Sequence, residues 1–353
     1  MDIVKFLEKT ISAAASDLHI VVGLPPMIRV EGELSPVEER PLTDEETQEM
    51  VFSLLSPEQK DLFLVNRELD FSYDHEAKGR FRVNAYHQKG FVSAALRLIP
   101  SQIRTIEELN LPKVLHDFAK LRQGFVLVTG PTGHGKSTTL AAVIQEINET
   151  QASHIVTVED PIEYVYPIGR SIISQRELHS DTHSWEIALR SALREDPDVV
   201  LIGEMRDYET IAAALTIAET GHLVFATLHT NSAAQTIDRI VDVFPEHQQA
   251  QVKMQLSNTL EAVLSQRLLP SVTGGRIPVA EILLANAAVR TTIREGKTHL
   301  IDNVIQTSAD IGMNTLETSM AYWVKAGKLS LQVATEWALR PAELRWLVRG
   351  GKE

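Results

Sequence analysis

The 353-residue sequence contains no cysteine. That absence excludes disulfides and the four-cysteine zinc knuckle, so no structural metal is expected. Nor is there a run approaching the ~18 uninterrupted apolar residues that a membrane-spanning helix needs, and direct membrane insertion is not expected. The first residues, MDIVKFLEKTISAAASDLHI, carry acids where a signal peptide has a basic flank and an apolar block, so a cytoplasmic location is the expectation. Positive charge is also short. With 34 Lys and Arg against 47 Asp and Glu the formal net charge is -13, which works against a general affinity for DNA, RNA or anionic lipid. No basic stretch is interleaved with aromatic residues of the kind that stack bases, and there is no internal repeat or low-complexity tract. What is present is globular: 44% hydrophobic and 23% charged residues. The length is generous for one core and points to two domains, one large enough for a doubly wound sheet.

The clearest motif is Gly130-Pro131-Thr132-Gly133-His134-Gly135-Lys136-Ser137, which satisfies G-x-x-x-x-G-K-[ST] at every required position. It lies between an apolar strand pattern, Gly124 to Thr129, and a helical one beginning at Ser137. That context is what the chemistry requires. The glycines let consecutive backbone N–H groups surround phosphate oxygens, and the helix N-terminus adds partial positive charge. Lys136 reaches the β- and γ-phosphates, and Ser137 ligates Mg²⁺. The motif predicts a nucleoside triphosphate site.

Residues 1 to about 99 read as a small α+β domain. Ile3, Phe6, Leu7 and Ile11 recur at helical spacing; strand patterns follow at His19 to Val22 and Met27 to Val30. Helix starts are marked by Thr43-Asp44-Glu45-Glu46 and by Ser56-Pro57-Glu58. Phe81 to Ala85 alternates strictly, which buries Phe81, Val83 and Ala85 and turns Arg80, Arg82 and Asn84 to the other face. Ile99-Pro100-Ser101 marks a boundary. Beyond it a helical segment is expected from Ile106 to Lys120. Strands and helices then alternate: strand His154 to Val158, helix Trp185 to Arg194, strand Val199 to Ile202, helix Thr210 to Ala218 and strand Leu223 to Leu228. Such alternation predicts a mainly parallel sheet covered on both faces. Long helical patterns are expected from Ala250 to Leu268 and through the last third of the chain.

Hydrolysis needs acids near the phosphates. Glu204 stands just beyond the apolar strand Val199 to Ile202, at the sheet edge where the phosphate loop emerges, and is the candidate Mg²⁺ acid. A second group, Glu159-Asp160-Pro161-Ile162-Glu163, follows its own strand, and Glu163 is placed to act on an attacking water. The sequence does not rank Glu163 against Glu204 as the base. His222 and His229 bracket the strand Leu223 to Leu228. Seven residues apart, with no cysteine or third ligand, they do not match a metal site; His229 is a candidate partner for the γ-phosphate or for an acid.

Taken together, these blocks resemble the secretion ATPase superfamily and, within it, the type IV pilus retraction ATPases. The resemblance rests on Ala15-Ser16-Asp17-Leu18-His19, GPTGHGKST, VEDPIEY, ALREDPDVVLIGEMRD and TGHLVFATLHT, in that order across essentially the whole chain. It implies an N-terminal PAS-like α+β domain (1–99), a linker and lead-in helix (100–122), a RecA-like P-loop ATPase core (123–285) and a helical C-terminal subdomain (286–353). It further implies ATP and Mg²⁺ as ligands. Residues 130–137 with Thr138 and the acids Glu159 and Asp160 would lie at the nucleotide. Glu204 would be the Walker B acid, Glu163 the catalytic glutamate, and His222 and His229 the His box. Arg80, Arg82 and Arg97 fall where the family supplies positive charge to nucleotide. Family members work as homohexameric rings at the cytoplasmic face of the inner membrane, where they act on a platform protein of the pilus machinery. Where the family usually has serine this chain has His134.

Two features bear on the direction of such a motor. Pilus assembly and type II secretion ATPases are longer and typically carry a tetracysteine zinc motif. Residues 288–295, AVRTTIRE, resemble the retraction family's A-I-R-N-L-I-R-E; on a helix Arg290 and Arg294 share one face, Val289 and Ile293 the next. Retraction is therefore the expected activity. The alternatives are an assembly or type II secretion ATPase, an accessory retraction subunit that modulates a second ATPase, and a RecA-like nucleic-acid motor, against which the acidic total counts.

Overall fold

A computed structural model describes residues 2–30, 32–75, 78–100 and 102–350; Ser101, part of the expected boundary, lies outside them. The chain divides into two compact units, Met1–Gln102 with Glu163–Pro167, and Ile103–Ile162 with Ile168–Glu353.

The first unit is built from α1 (Ile3–Ser12), β1 (Asp17–Ile20), β2 (Met27–Val30), β3 (Glu33–Pro36), α2 (Asp44–Ser53), α3 (Pro57–Asn66), β4 (Glu68–His75), β5 (Gly79–Gln88) and β6 (Phe91–Ile99). Its helices start where short polar side chains satisfy the first free N–H groups: Asp2 caps α1, and Thr43/Glu46 and Ser56/Gln59 form reciprocal capping boxes. The strands form one antiparallel sheet in the order β3-β2-β1-β6-β5-β4. Phe81, Val83 and Ala85 are buried with Phe6, Leu7, Leu18 and Leu96 in a single core. The opposite face of the sheet is polar. In register across it stand Ser72, Arg82, Arg97, Asp17 and Arg29.

The second unit contains α4 (Leu115–Phe118), β7 (Gly124–Thr129), α5 (Lys136–Thr150), β8 (His154–Glu159), β9 (Ile172–Glu177), α6 (Trp185–Ala192), β10 (Val199–Ile202), α7 (Tyr208–Glu219), β11 (Leu223–Leu228), α8 (Ala233–Asp242), α9 (Glu246–Thr259), β12 (Leu260–Pro270), β13 (Arg276–Leu284), α10 (Ala287–Glu295), α11 (Ile301–Thr307), α12 (Leu316–Lys325), α13 (Leu331–Trp337) and α14 (Pro341–Val348). Seven strands lie in the order β13-β12-β7-β11-β10-β8-β9. All pairings are parallel except β12 with β13. Every residue of β7, β10 and β11 is buried, as strands covered on both faces require. Leu269 of β12 and Val279 of the edge strand β13 join a separate small core with Leu316, Met320 and Leu344 of the C-terminal helices.

Two expected helices are corrected. Between Ile106 and Lys120 only α4 is helical and the rest is turn; Pro112 lacks an N–H and disfavours helical geometry at Leu111. The pattern from Ala250 to Leu268 breaks at Thr259, where α9 ends and β12 begins. Inserted between β7 and β13, β12 is buried on both faces, and such a strand has the same near-continuous apolar run as a buried helix.

Candidate nucleotide-binding site

The site grows from the carboxyl end of β7. Gly130 has φ +139°, and a Cβ there would stand 2.2 Å from the Gln266 carbonyl oxygen. Only glycine lets the loop leave the strand this close to β12. Gly135, in the left-handed conformation, is the N-cap of α5, which aims the first N–H groups of a 15-residue helix into the loop. Lys136 is buried, and its Nζ donates to the carbonyls of Gly130 (2.9 Å) and Pro131 (3.1 Å). Ser137 and Thr138 occupy the first turn of α5.

The acids arrive on neighbouring strands. Gly203 follows β10, and a Cβ on it would come within 3.2 Å of the Glu159 Cα, so the ends of β8 and β10 converge. Glu159 is buried and accepts from Thr157 Oγ1 at 2.7 Å, while Asp160 is exposed. Glu204 accepts a two-pronged contact from Arg206, with Nε to Oε1 at 2.7 Å and Nη2 to Oε2 at 2.8 Å. His229, just past β11, joins acid to loop: its Nε2 lies 2.9 Å from Glu204 Oε1, and its Nδ1 lies 3.2 Å from Thr132 Oγ1 and 3.4 Å from Lys136 Nζ. Facing a carboxylate, Nε2 donates; Nδ1 is then the acceptor for the threonine hydroxyl and the ammonium.

Electrostatics keep the acid ionised. Burial alone would raise the Glu204 carboxyl, but the Arg206 hydrogen bond, the adjacent His229 ring and the positive charges of Arg206 and Lys136 outweigh it and hold it below the usual carboxylate range. Arg206 is raised reciprocally by its bond to and the charge of Glu204, and Asp160 adds to the effect. Among the described residues no three or more His, Asp and Glu are grouped to hold a metal by themselves. A hydroxyl at Ser137 and one ionised carboxylate suit Mg²⁺, which keeps waters and shares phosphate oxygens rather than sitting in an all-protein cage.

The structure thus gathers the phosphate loop, Glu204 and His229. It does not bring His222 to them: that residue precedes β11 at the opposite end of the strand, where its Nδ1 lies 3.0 Å from both Thr220 Oγ1 and the Ile217 carbonyl. Glu163 is exposed, in the 163–167 segment grouped with the first unit; the preceding Ile162 N–H donates to the buried Glu177 carboxylate at 3.0 Å. Within the first unit Arg80 pairs with Asp74 (3.1 Å) and Arg97 with Asp17 (3.0 Å), and Arg82 stands beside Arg97 on the adjacent strand. Arg290 and Arg294 separate as well. Arg290 is spent on the carbonyls of Ala285, Ser257 and Asn258 and on Glu261, whereas Arg294 is exposed.

Sequence reasoning missed Arg206, Gln266 and Arg276. Arg206 sits two residues from an acid at a strand end, a signal that was available. Gln266 donates to the His134 carbonyl (2.9 Å) and accepts from Thr139 Oγ1 (2.7 Å), but it fell inside a segment read as helix. Arg276 donates to the Gly133 carbonyl at 3.2 Å from a strand that the pattern did not single out.

Comparison with known proteins gives the family. Residues 75–332 match the family described as Type II/IV secretion system protein. The chain is 46% identical over 341 residues to the Pseudomonas aeruginosa protein named "Type IV pilus retractation ATPase PilT", covering 97% of this chain and 99% of that one. It is 50% identical over 310 residues to a Neisseria gonorrhoeae "Twitching motility protein", covering 88% and 83%. Among solved structures, that of the pilus retraction motor PilT with bound ADP superposes with a TM-score of 0.91 at 44% identity, covering 98% of this chain and 99% of the other. A RecA-like ATPase core with a separate N-terminal domain, matched along nearly its whole length, means that the chain belongs to the type II/IV secretion system protein family.

Proposed function

We propose that the protein is an ATPase motor that powers type IV pilus retraction, and hence twitching motility, by hydrolysing ATP. The observation that carries this reading is the linked cluster Lys136–His229–Glu204 beneath a complete phosphate loop, in a chain matched end to end by a pilus retraction ATPase. Backbone N–H groups from Gly133 to Ser137, with Pro131, Thr132 and Thr138 completing the cradle, surround the β- and γ-phosphates, and Lys136 exchanges its carbonyl partners for phosphate oxygens. Ser137 and Glu204 would hold Mg²⁺, whose charge offsets that developing on the phosphate oxygens during transfer. Glu163 orients and deprotonates the attacking water. Glu159 and Asp160 shape the acidic edge, and His229 ties the state of Glu204 to the loop through Thr132.

Arg80, Arg82 and Arg97 of the first unit add positive charge toward nucleotide in a neighbouring subunit of a homohexamer, and His222 belongs to the same His-box segment without a phosphate contact in its own subunit. The ring would act on an inner-membrane platform protein from the cytoplasmic face. Among the described residues no helix is long and apolar enough to cross a membrane. Turnover measurements test the assignment. Lys136→Ala is expected to lose at least 100-fold in ATP hydrolysis, on the order of an oxyanion-type interaction, while Glu204→Ala and Glu163→Gln lose hydrolysis more than Mg·ADP binding. Near-normal turnover in Lys136→Ala would discard the site.

A further inference from the structure

The phosphate loop is braced by β12 and, through it, by the C-terminal helices. β7 stops at Thr129, opposite Ser265, so β12 runs on without a parallel neighbour. The Leu268 N–H, beyond that point, is accepted at 3.0 Å by Nδ1 of His134, a side chain of the loop itself. The same imidazole packs against the indole of Trp337, the last residue of α13, with ring centroids 5.4 Å apart and planes tilted by 55°. The end of α13 is fixed in turn, because the buried Arg267 donates to the Trp337 carbonyl. Accepting a backbone N–H requires an unprotonated Nδ1. Burial first, and then the cations Arg267, Lys136 and Arg276, push the His134 pKa below its ordinary value and keep the ring neutral. Loop, sheet edge and C-terminal helices are therefore joined at one histidine.

We propose that His134 and Trp337 form a latch through which the C-terminal helices hold the phosphate loop in its nucleotide-binding shape. Trp337 is then a positioning residue: it touches no phosphate, yet it sets the loop whose N–H groups do. This rests on reading that loop as the ATP site. Backbone donors act on phosphate only when they are held within a fraction of an ångström, and a serine at position 134 has no ring to stack on the indole. A hydrogen bond and an aromatic contact of ordinary strength correspond to about a fivefold to thirtyfold change in affinity.

The test uses the full chain and compares wild type with His134→Ser, Trp337→Ala and Trp337→Phe. ATP hydrolysis gives KM and kcat, and tryptophan emission is followed on adding Mg·ADP. His134→Ser and Trp337→Ala are expected to raise KM about fivefold or more, Trp337→Ala with kcat within about twofold, and Trp337→Phe, which keeps a ring, to restore KM. Mg·ADP should change the emission of wild type, and that change should vanish in Trp337→Phe, which lacks the reporting indole, and in His134→Ser, which uncouples it. Wild-type KM in His134→Ser, or a full emission change in Trp337→Phe, overturns the latch while leaving the ATP site intact. Wild type that turns over ATP without any emission change on Mg·ADP overturns the latch alone, and wild type with no ATP turnover overturns both.

Discussion

Replacing Gly130 by alanine separates a glycine that the geometry requires from one that the loop merely contains. At Gly130 the added Cβ meets the Gln266 carbonyl oxygen at 2.2 Å and its carbon at 3.2 Å, with φ at +139°. Both the backbone conformation and the collision count. A non-glycine residue in that region costs about 1–3 kcal/mol. The collision is with backbone in a paired, buried strand, so the loop must move by roughly 1 Å, which adds about 1–3 kcal/mol of the kind seen on overpacking. Gly133 also has positive φ, +79°, but nothing stands within 4 Å of its Cβ position, so Gly133→Ala carries only the left-handed cost of about 1–2 kcal/mol. Isothermal titration with Mg·ADP and thermal unfolding of both variants supply the comparison. Gly130→Ala should weaken binding by about 100-fold, the effect of an ångström-scale misplacement, and be the less stable of the two. Gly133→Ala should bind within about tenfold of wild type. Equal losses in the two variants would refute the argument from the Gln266 contact.

Two further predictions concern pH. Burial pushes the Glu281 carboxyl up to about 7, against the hydrogen bond it accepts from the Ala233 N–H at the start of α8. A raised carboxyl pKa stabilises the fold fully below the unfolded value and loses that contribution as pH rises through the folded one. Glu281→Gln should therefore gain stability relative to wild type between about pH 4.5 and pH 7, by about 3 kcal/mol at pH 8, read from urea unfolding at pH 5 and pH 8; a difference independent of pH would contradict it. At His116, burial lowers the pKa, but the hydrogen bonds to and charges of Glu146 and Glu107, each 2.7 Å away, outweigh it and raise it. Its contribution is present in full below about pH 6.5 and is lost as pH rises through the raised value. The melting-temperature deficit of His116→Gln should thus be largest near pH 5.5 and fade by pH 9, and a deficit that grows with pH would refute the pairing.

Where sequence pattern and local chemistry coincide, the fold was legible. The capping boxes at Thr43 and Ser56, the alternation at Phe81 to Ala85 and the glycines around Lys136 each encode their geometry in a few neighbouring residues. What escaped depends on contacts distant in sequence. Leu260 to Leu269 could be read as helix or buried strand, and only its place between β7 and β13 decides. Misreading that strand hid Gln266 and Leu268, which brace the phosphate loop from more than a hundred positions away. His222 and His229 are the two ends of one strand, and the pattern singles out His229 for the phosphates because only the carboxyl end of a parallel strand faces the phosphate loop. Arg290 and Arg294 share a helical face by spacing; the end of α9, close by in space, captures the first and leaves the second in solvent. Nothing within the AVRTTIRE segment carries that information.

The central claim is that this ATPase draws pili in. It is tested most directly by counting surface pili and measuring twitching in cells lacking the gene, complemented either with wild type or with Lys136→Ala. Excess pili with lost motility, restored by wild type and not by Lys136→Ala, is the predicted result. Bald cells would mean that the motor builds the fibres, and the retraction reading would be wrong.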